Sequence, residues 1–198
     1  PFEGNKTEVY TDGLSMLQSL MKAISKAKHH IHLEFYIFED DPVGRLLRDL
    51  LIDKAREGVE IRLLYDDVGC WKVPHLFYDE MRGACIEARG FLKVRFPVFT
   101  SKVNYRNHRK IVVIDGKVAF TGGMNIALRY MKGFQWGIWR DTHIKIEGKA
   151  VYGLQTAFLT DWYVVDRTLI TSSRYFPEMD SYGTVSYTHL TLPTTSRV

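Results

Sequence analysis

Cysteine is scarce in this sequence. Cys70 and Cys85 are the only two among 198 residues, and they form no CxxC or CxxH spacing. Structural zinc sites and disulfide-rich secreted folds need several cysteines at short spacings. The sequence therefore indicates neither kind of site, and a reducing environment is expected.

Long apolar runs and a signal-peptide pattern are also absent. No stretch of eighteen or more apolar residues occurs, and the amino end lacks a basic, apolar and small-residue succession. The sequence itself therefore predicts no transmembrane helix and no export signal. Because the chain begins with Pro1 and not with Met, we expect further sequence upstream, where any membrane anchor would lie.

The composition is that of a globular domain. Hydrophobic residues make up 45% and charged residues 25%, enough to build a core in a chain of this length. The net charge of +4 and the isoelectric point near 9.0 suit anionic partners. Phosphates, nucleic acid and acidic lipid surfaces all remain open on charge alone.

The last fourteen residues differ from the rest. Residues 185–198, VSYTHLTLPTTSRV, are rich in threonine and continue no helical pattern. They resemble a sequencing adapter of the transposase type translated as if it were coding sequence. We predict a domain over residues 1–184 and a non-native tail over residues 185–198, with a natural disordered tail as the alternative. In either case we expect the native protein to continue past residue 184.

Strand and helix patterns alternate over the first hundred residues. Strand-like sequences span residues 30–38, 59–67 and 91–96. Helical apolar spacing follows Thr11 or Asp12 and Pro42, and a third helix is predicted around residues 74–88. Leu46, Leu47, Leu50 and Leu51 are predicted to face inward from the second helix, which Gly58 would end. Three rounds of this alternation predict parallel strands with helices packed against them.

A hairpin pattern follows. The stretches KIVVID and KVAFT flank Asp115–Gly116, a strong signal for a two-residue turn. A strand over residues 139–148 and a helix from Lys149 to about Val165 complete the domain. The predicted fold is α/β, with a mixed sheet flanked by helices on both faces.

The hairpin carries unusual chemistry at its start. His108 and Lys110 are two residues apart, so in a strand they project to the same face, about 6.5–7 Å apart, while Arg109 projects to the other. An imidazole beside an ammonium suits a phosphoryl group, which the lysine neutralises while the histidine attacks it or donates a proton. The backbone of Gly122–Gly123 could approach such a group, and Asn125 could donate a hydrogen bond to its oxygens.

These residues carry a resemblance to a known family. His108, Lys110 and Asp115 form H-x-K-x4-D, followed by G-G-x-N, which resembles the HKD signature of the phospholipase D superfamily. The stretch from 143 to 145 also reads H-x-K but lacks the aspartate, so the short pattern alone is not informative. The blocks HIHLEFYIFEDDPVGRLLRDLL, GVEIRLLYDDVG, NHRKIVVIDGKVAFTGGMNI and WRDTHIKIEGKAVYGLQTAFLTDW are similar to the first catalytic half of bacterial cardiolipin synthases, over most of residues 8–165.

The resemblance implies a phosphatidyltransferase. One phosphatidylglycerol would give its phosphatidyl group to an enzyme histidine, and a hydroxyl of a second would accept it from the phosphohistidine and release glycerol. No metal or organic cofactor is implied. The implied partners are phosphatidylglycerol, a membrane surface and a second HKD domain in the same chain. The implied location is the bacterial cytoplasmic membrane, and no nucleic acid partner is expected.

The resemblance also assigns roles. His108 would be the nucleophile or its acid–base counterpart. Lys110 and Asn125, with the Gly122–Gly123 pair, would hold the phosphoryl oxygens. Asp115 would support the motif, and a D-G turn explains it equally well without catalysis. A histidine nucleophile needs its far ring nitrogen held by an acceptor, and Asp141 is the candidate.

One departure from the family leaves alternatives open. In the superfamily, two HKD motifs face each other to form one active site, and this sequence holds one motif. The isolated chain is therefore expected to be inactive or nearly so unless it pairs with a copy of itself. The main alternative is a homodimeric phosphodiesterase or nuclease with a single motif. A degenerate half that only packs or binds lipid is a third reading. Glu34 and Tyr36 either line the site or belong to the core.

Overall fold

A seven-stranded mixed sheet organises the computed structural model, which describes residues 4–91, 107–132 and 140–179. Its strands are β1 Lys6–Tyr10, β2 His30–Phe35, β3 Glu60–Asp66, β4 Glu87–Phe91, β5 Ile111–Ile114, β6 Val118–Gly122 and β7 His143–Glu147. Their spatial order is β1-β7-β6-β5-β2-β3-β4. β2, β3 and β4 run parallel and the other neighbours are antiparallel. The predicted α/β fold with a mixed sheet is confirmed.

Helices cover both faces of this sheet. They are α1 Gly13–Ile24, α2 Pro42–Arg56, α3 His75–Gly83, α4 Leu128–Lys132 and α5 Val151–Asp166. The first four share one large core with the apolar side of β2, including Leu33, Leu47 and Phe77. α5 packs on the opposite face, where Val113, Phe158 and Trp162 are buried. Within the described ranges, none of these helices has the length and apolar character to cross a bilayer.

Local signals explain the helix ends. Asp12 accepts a hydrogen bond from the Ser15 amide and caps α1, and Gly58 has a φ of +91° just after α2. The predicted inward stripe of α2 is wrong at Leu46, which is 51% exposed, because the buried positions are Val43, Leu47 and Leu51 at i, i+4 and i+8.

β2 is buried on both faces, and its two faces differ in chemistry. All six of its residues are buried, with the apolar ones toward the large core. His30 and His32 point toward α5, where the side chain of Gln155 bridges them at 3.0 and 2.8 Å. Burial lowers the pKa of His30 to about 4. Burial also lowers the pKa of His32 well below its usual value. Both imidazoles are therefore neutral at pH 7 and serve the packing of α5 on the sheet.

Several predicted boundaries are wrong. β1 was not predicted. α3 ends at Gly83 and not near residue 88, because Cys85 takes a φ of +65° and turns the chain into β4. β4 begins at Glu87, and residues 92–96 of the predicted strand lie outside the described residues. The ladder pairs Ile114 with Val118, so the β5–β6 connection has three residues and not two. The predicted tail also lies outside the described residues.

Candidate active site

The motif lies where the central strands of the sheet end, and we call this end of the strands the motif edge of the sheet. β2 and β5 are antiparallel, with Glu34 paired to Ile111, so the end of β2 and the start of β5 meet. Residues 107–110 precede β5 without forming part of a ladder. Tyr36, which follows β2, is therefore a neighbour of His108. This edge also holds the end of parallel β3, as expected for a site in an α/β sheet.

His108 and Lys110 meet at the ring of Tyr36. The exposed His108 imidazole stacks on this ring with centroids 4.2 Å apart and planes at 18°. The Lys110 ammonium lies 5.6 Å from the same centroid and donates to the carbonyl oxygen of His108 at 2.7 Å. Lys110 is 8% exposed, and this burial lowers its pKa, while Asp141 opposes the effect. The structure thus brings the two predicted residues together, and Tyr36 is a site neighbour.

Arg109 faces the other way. Its guanidinium pairs with the carboxylate of Asp161 on α5, across the sheet from the large core. This is the face that residue spacing predicts for Arg109. Arg106 and Arg109 could be predicted from sequence either to meet lipid phosphates or to belong to a solvated loop, and Arg106 lies outside the described residues.

The glycine pair packs against the start of β7. A side chain at Gly122, whose φ is +155°, would come within 2.5 Å of the His143 Cα, and one at Gly123 would come within 1.9 Å of the Asp141 carboxylate. The Gly123 amide donates to the Thr142 carbonyl at 2.9 Å. The close approach that requires glycine here is to residues 141–143. A role toward phosphate stays a prediction.

The charges of Asp141 and Lys110 act on each other and on the His143 imidazole. Burial lowers the pKa of His143 to about 4, with Asp141 raising it and the Lys110 charge lowering it. The His143 Nδ1 is buried without a hydrogen-bond partner in the described part of the chain. Asp141 accepts from the Thr142 amide at 2.7 Å, and no hydrogen bond joins it to His108 among the described residues. The predicted orienting role of Asp141 stays a prediction.

His143 is a neighbour that the sequence interpretation missed. Its own H-x-K pattern carried no information. The register of β6 on β7, which places Gly122 opposite His143, is what brings it to the motif.

Asp115 sits at the other end of β5 from His108. Its carboxylate accepts hydrogen bonds from the backbone amides of Lys28, His29 and His30 at 2.9, 2.8 and 3.0 Å. Its φ is +53°, in the turn to β6. This geometry ties the hairpin to the start of β2, which suits the supporting role predicted for this residue.

Asn125 is buried beside the segment that follows β2. Its side-chain oxygen accepts from the Ile37 amide at 3.0 Å, and its nitrogen donates to the Tyr130 hydroxyl at 2.7 Å. These bonds use the oxygen and one of the two amide hydrogens, so binding to a phosphoryl oxygen would use the other. As for metals, no three His, Cys, Asp or Glu side chains cluster as possible ligands in the ranges that the structure covers.

Comparison with known proteins gives consistent matches. The family model described as "Cardiolipin synthase, PLD-like domain" matches residues 20–162. A cardiolipin synthase of Geobacillus sp. is 45% identical over 179 residues, covering 89% of this chain and 36% of the relative. The chain thus spans about a third of the length of the curated relatives it matches.

Two solved structures show the fold. The phospholipase D family member Nuc from Salmonella typhimurium superposes with a TM-score of 0.61 at 17% identity, covering 81% of this chain and 96% of Nuc. Phosphatidylserine synthase from Haemophilus influenzae gives 0.62 at 18% identity, covering 79% of this chain and 36% of that protein. At such identities these likenesses concern architecture alone.

Proposed function

The chain belongs to the family of phospholipase D-like cardiolipin synthase domains, and we propose that it supplies one of the two half-sites of a phosphatidyltransferase that makes cardiolipin. The observation that carries this proposal is the meeting of an exposed His108 and a largely buried Lys110 at one aromatic ring. The second half-site would come from sequence beyond this chain. The chain's share of about a third of its relatives supports this arrangement.

The proposed chemistry is double displacement at phosphorus. A ring nitrogen of His108 attacks the phosphorus of phosphatidylglycerol, a P–N bond forms, and the P–O bond to the glycerol headgroup breaks. A general acid of the second half-site protonates the departing glycerol. A hydroxyl of a second phosphatidylglycerol then gives its proton to that same group, which now acts as a base, and attacks, so that a P–O bond forms and the P–N bond to His108 breaks. Two phosphatidylglycerols become one cardiolipin and one glycerol.

Lys110 is suited to stabilise the charge that develops on the phosphoryl oxygens. Its partial burial strengthens its interaction with an anion relative to water. Asp141 favours the charged form of this lysine, and His143 is neutral at pH 7 because its pKa is about 4. Lys110 therefore presents its positive charge without a second cation at His143.

The same edge carries features suited to a lipid surface. Trp71, in the segment that follows β3, is 73% exposed and is followed by Lys72. Leu76, at the start of α3, is 67% exposed. The segment is held by backbone hydrogen bonds from Cys70 to Asp66 and from Val73 to Cys70, each of 2.9 Å. Exposed tryptophan beside lysine is typical of membrane interfaces. This supports contact with an anionic membrane surface, which both the proposed phosphatidylglycerol substrate and the proposed location at the bacterial cytoplasmic membrane require.

The test uses the full-length protein that contains this sequence, incubated with phosphatidylglycerol labelled at its phosphate. We expect label on the protein after rapid acid-free denaturation. His108→Ala should lose both this label and cardiolipin formation. His29→Ala, an exposed histidine at the far end of β2, should retain both. Undiminished cardiolipin formation in His108→Ala would refute the proposal. Cleavage of DNA by the wild type, with no lipid product, would favour the nuclease alternative.

A further inference from the structure

Glu34 is a buried carboxyl group placed directly behind the motif. It is 2% exposed, on the face of β2 that looks toward α5. Its Oε1 accepts a hydrogen bond from the side-chain nitrogen of Asn107, and no donor among the described residues reaches its Oε2. Burying a carboxyl group in such a place destabilises the fold unless the group is hydrogen-bonded or carries a proton.

Asn107 connects this carboxyl group to the backbone of the motif. Its side-chain oxygen accepts from the Arg109 amide at 3.0 Å, which closes a turn around His108. Its own amide approaches Asp66 Oδ2 at 3.4 Å. Asn107 is thus held by Glu34 on one side and itself shapes the residues on either side of His108.

We propose that Glu34 is a positioning residue for the transfer reaction: acting through Asn107, it fixes the backbone from which His108 and Lys110 project. Glu34 contacts neither His108 nor substrate. Its role in the transfer reaction rests on the proposed function. Its effect on the conformation of residues 107–110 does not.

The geometry explains why such a support is needed here. Residues 107–110 lie outside the sheet ladder, so no strand pairing fixes them. The nucleophile must nevertheless be held close to in-line geometry, and a displacement of 1 Å costs on the order of 100-fold in rate. The Glu34–Asn107 contact anchors this segment to the centre of the sheet.

The charge of Glu34 gives the proposal a pH signature. Burial and, to a lesser extent, the neighbouring Asp161 carboxyl group on α5 raise its pKa to about 8, while Asn107 and Arg109 act against this. Asp161 is itself paired with Arg109, and Asp66 reaches the same cluster through the Asn107 amide. At neutral pH Glu34 therefore holds a proton and Oε1 serves as the acceptor for Asn107. Ionisation would place a second negative charge beside Asp161 and strengthen the hydrogen bond that Asn107 donates, so the surroundings of residues 107–110 would change.

The first experiment follows this chain by NMR, without any substrate. In the wild type the side-chain amide resonances of Asn107 and the ring resonances of His108 should shift together, with a midpoint near pH 8. Glu34→Gln keeps an oxygen for Asn107 but cannot ionise, so the shift should vanish while the spectrum at pH 6.5 is retained. Glu34→Ala should displace or broaden the resonances of residues 107–110. Gln155→Ala, which removes a buried polar group from the same face, is the matched control and should leave them in place.

The second experiment measures transfer kinetics of the full-length protein. Glu34→Ala should lower kcat about tenfold or more with KM within about twofold, and Glu34→Gln should restore most of it. The wild-type rate should change across pH 8 as Glu34 ionises, and that of Glu34→Gln should not. Unchanged resonances of residues 107–110 in Glu34→Ala, or a shift near pH 8 that persists in Glu34→Gln, would overturn the proposal. If the covalent intermediate on His108 were refuted, the effect of Glu34 on the resonances of residues 107–110 would still be expected. Failure of the proposed function and failure of the positioning role are therefore distinguishable.

Discussion

Replacing Asp115 by alanine should destabilise the fold because its carboxylate is the shared acceptor for three backbone amides. Lys28 and His29 are exposed, so water can replace their bonds at a cost of about 1 kcal/mol in all. The His30 amide begins a buried strand and would lose its acceptor, which costs about 1–3 kcal/mol. Alanine at a φ of +53° adds roughly 1 kcal/mol. The expected loss in the free energy of unfolding is about 3–5 kcal/mol.

Urea unfolding followed by circular dichroism measures this loss, and for a chain of this size Tm should fall by about 10 °C. Asp115→Asn should lose less than half as much, because asparagine tolerates positive φ and still offers one oxygen. Asp53→Ala, which removes an exposed partner of Arg56, is the control and should stay within about 0.5 kcal/mol of the wild type. An Asp115→Ala protein as stable as that control would show that the three amides do not depend on the carboxylate.

Three further outcomes are expected. Gly123→Ala should displace the Asp141 carboxylate and lower stability in urea by about 2 kcal/mol or more, whereas Gly83→Ala, with open space around its Cα, should not; equal effects would contradict the packing account. His143 is neutral in the fold and titrates near pH 4, below its usual 6.5, so the unfolded chain takes up the proton first and its contribution to stability is lost as pH falls from 6.5 to 4. His143→Gln should flatten that part of the urea midpoint profile, and an unchanged profile would refute this. Trp71→Ala should weaken sedimentation of the chain with phosphatidylglycerol vesicles, and equal sedimentation would argue against contact through this edge.

The elements that could be predicted are those specified by local patterns. The alternation of apolar segments led to the parallel run β2-β3-β4, and the Asp115–Gly116 pair led to the β5–β6 hairpin. In each case one short stretch carries its own signal, in caps, turn residues or residue spacing. β1 carries no such signal. Its burial pattern is mostly exposed, and only pairing with β7 across most of the chain length makes it a strand.

The surroundings of the motif depend on pairings between distant segments. His143 reaches Lys110 because β7 follows β6 in register, and Asn107 reaches Glu34 because β5 lies beside β2. No spacing within a single stretch encodes these contacts. A short motif therefore predicts the residues of the proposed chemistry but not the distant residues that surround them.

The motif residues thus divide between the two ends of one short strand. His108 and Lys110 lie before β5, where the backbone leaves the ladder and where an anion could approach the exposed imidazole. Asp115 lies after β5, where it binds the start of β2. Because β2 also provides Glu34 and is followed directly by Tyr36, the carboxylate at one end binds the strand whose other end lies against the histidine. The fixed spacing of the H-x-K-x4-D motif then follows from the four residues of β5 that separate these two attachments.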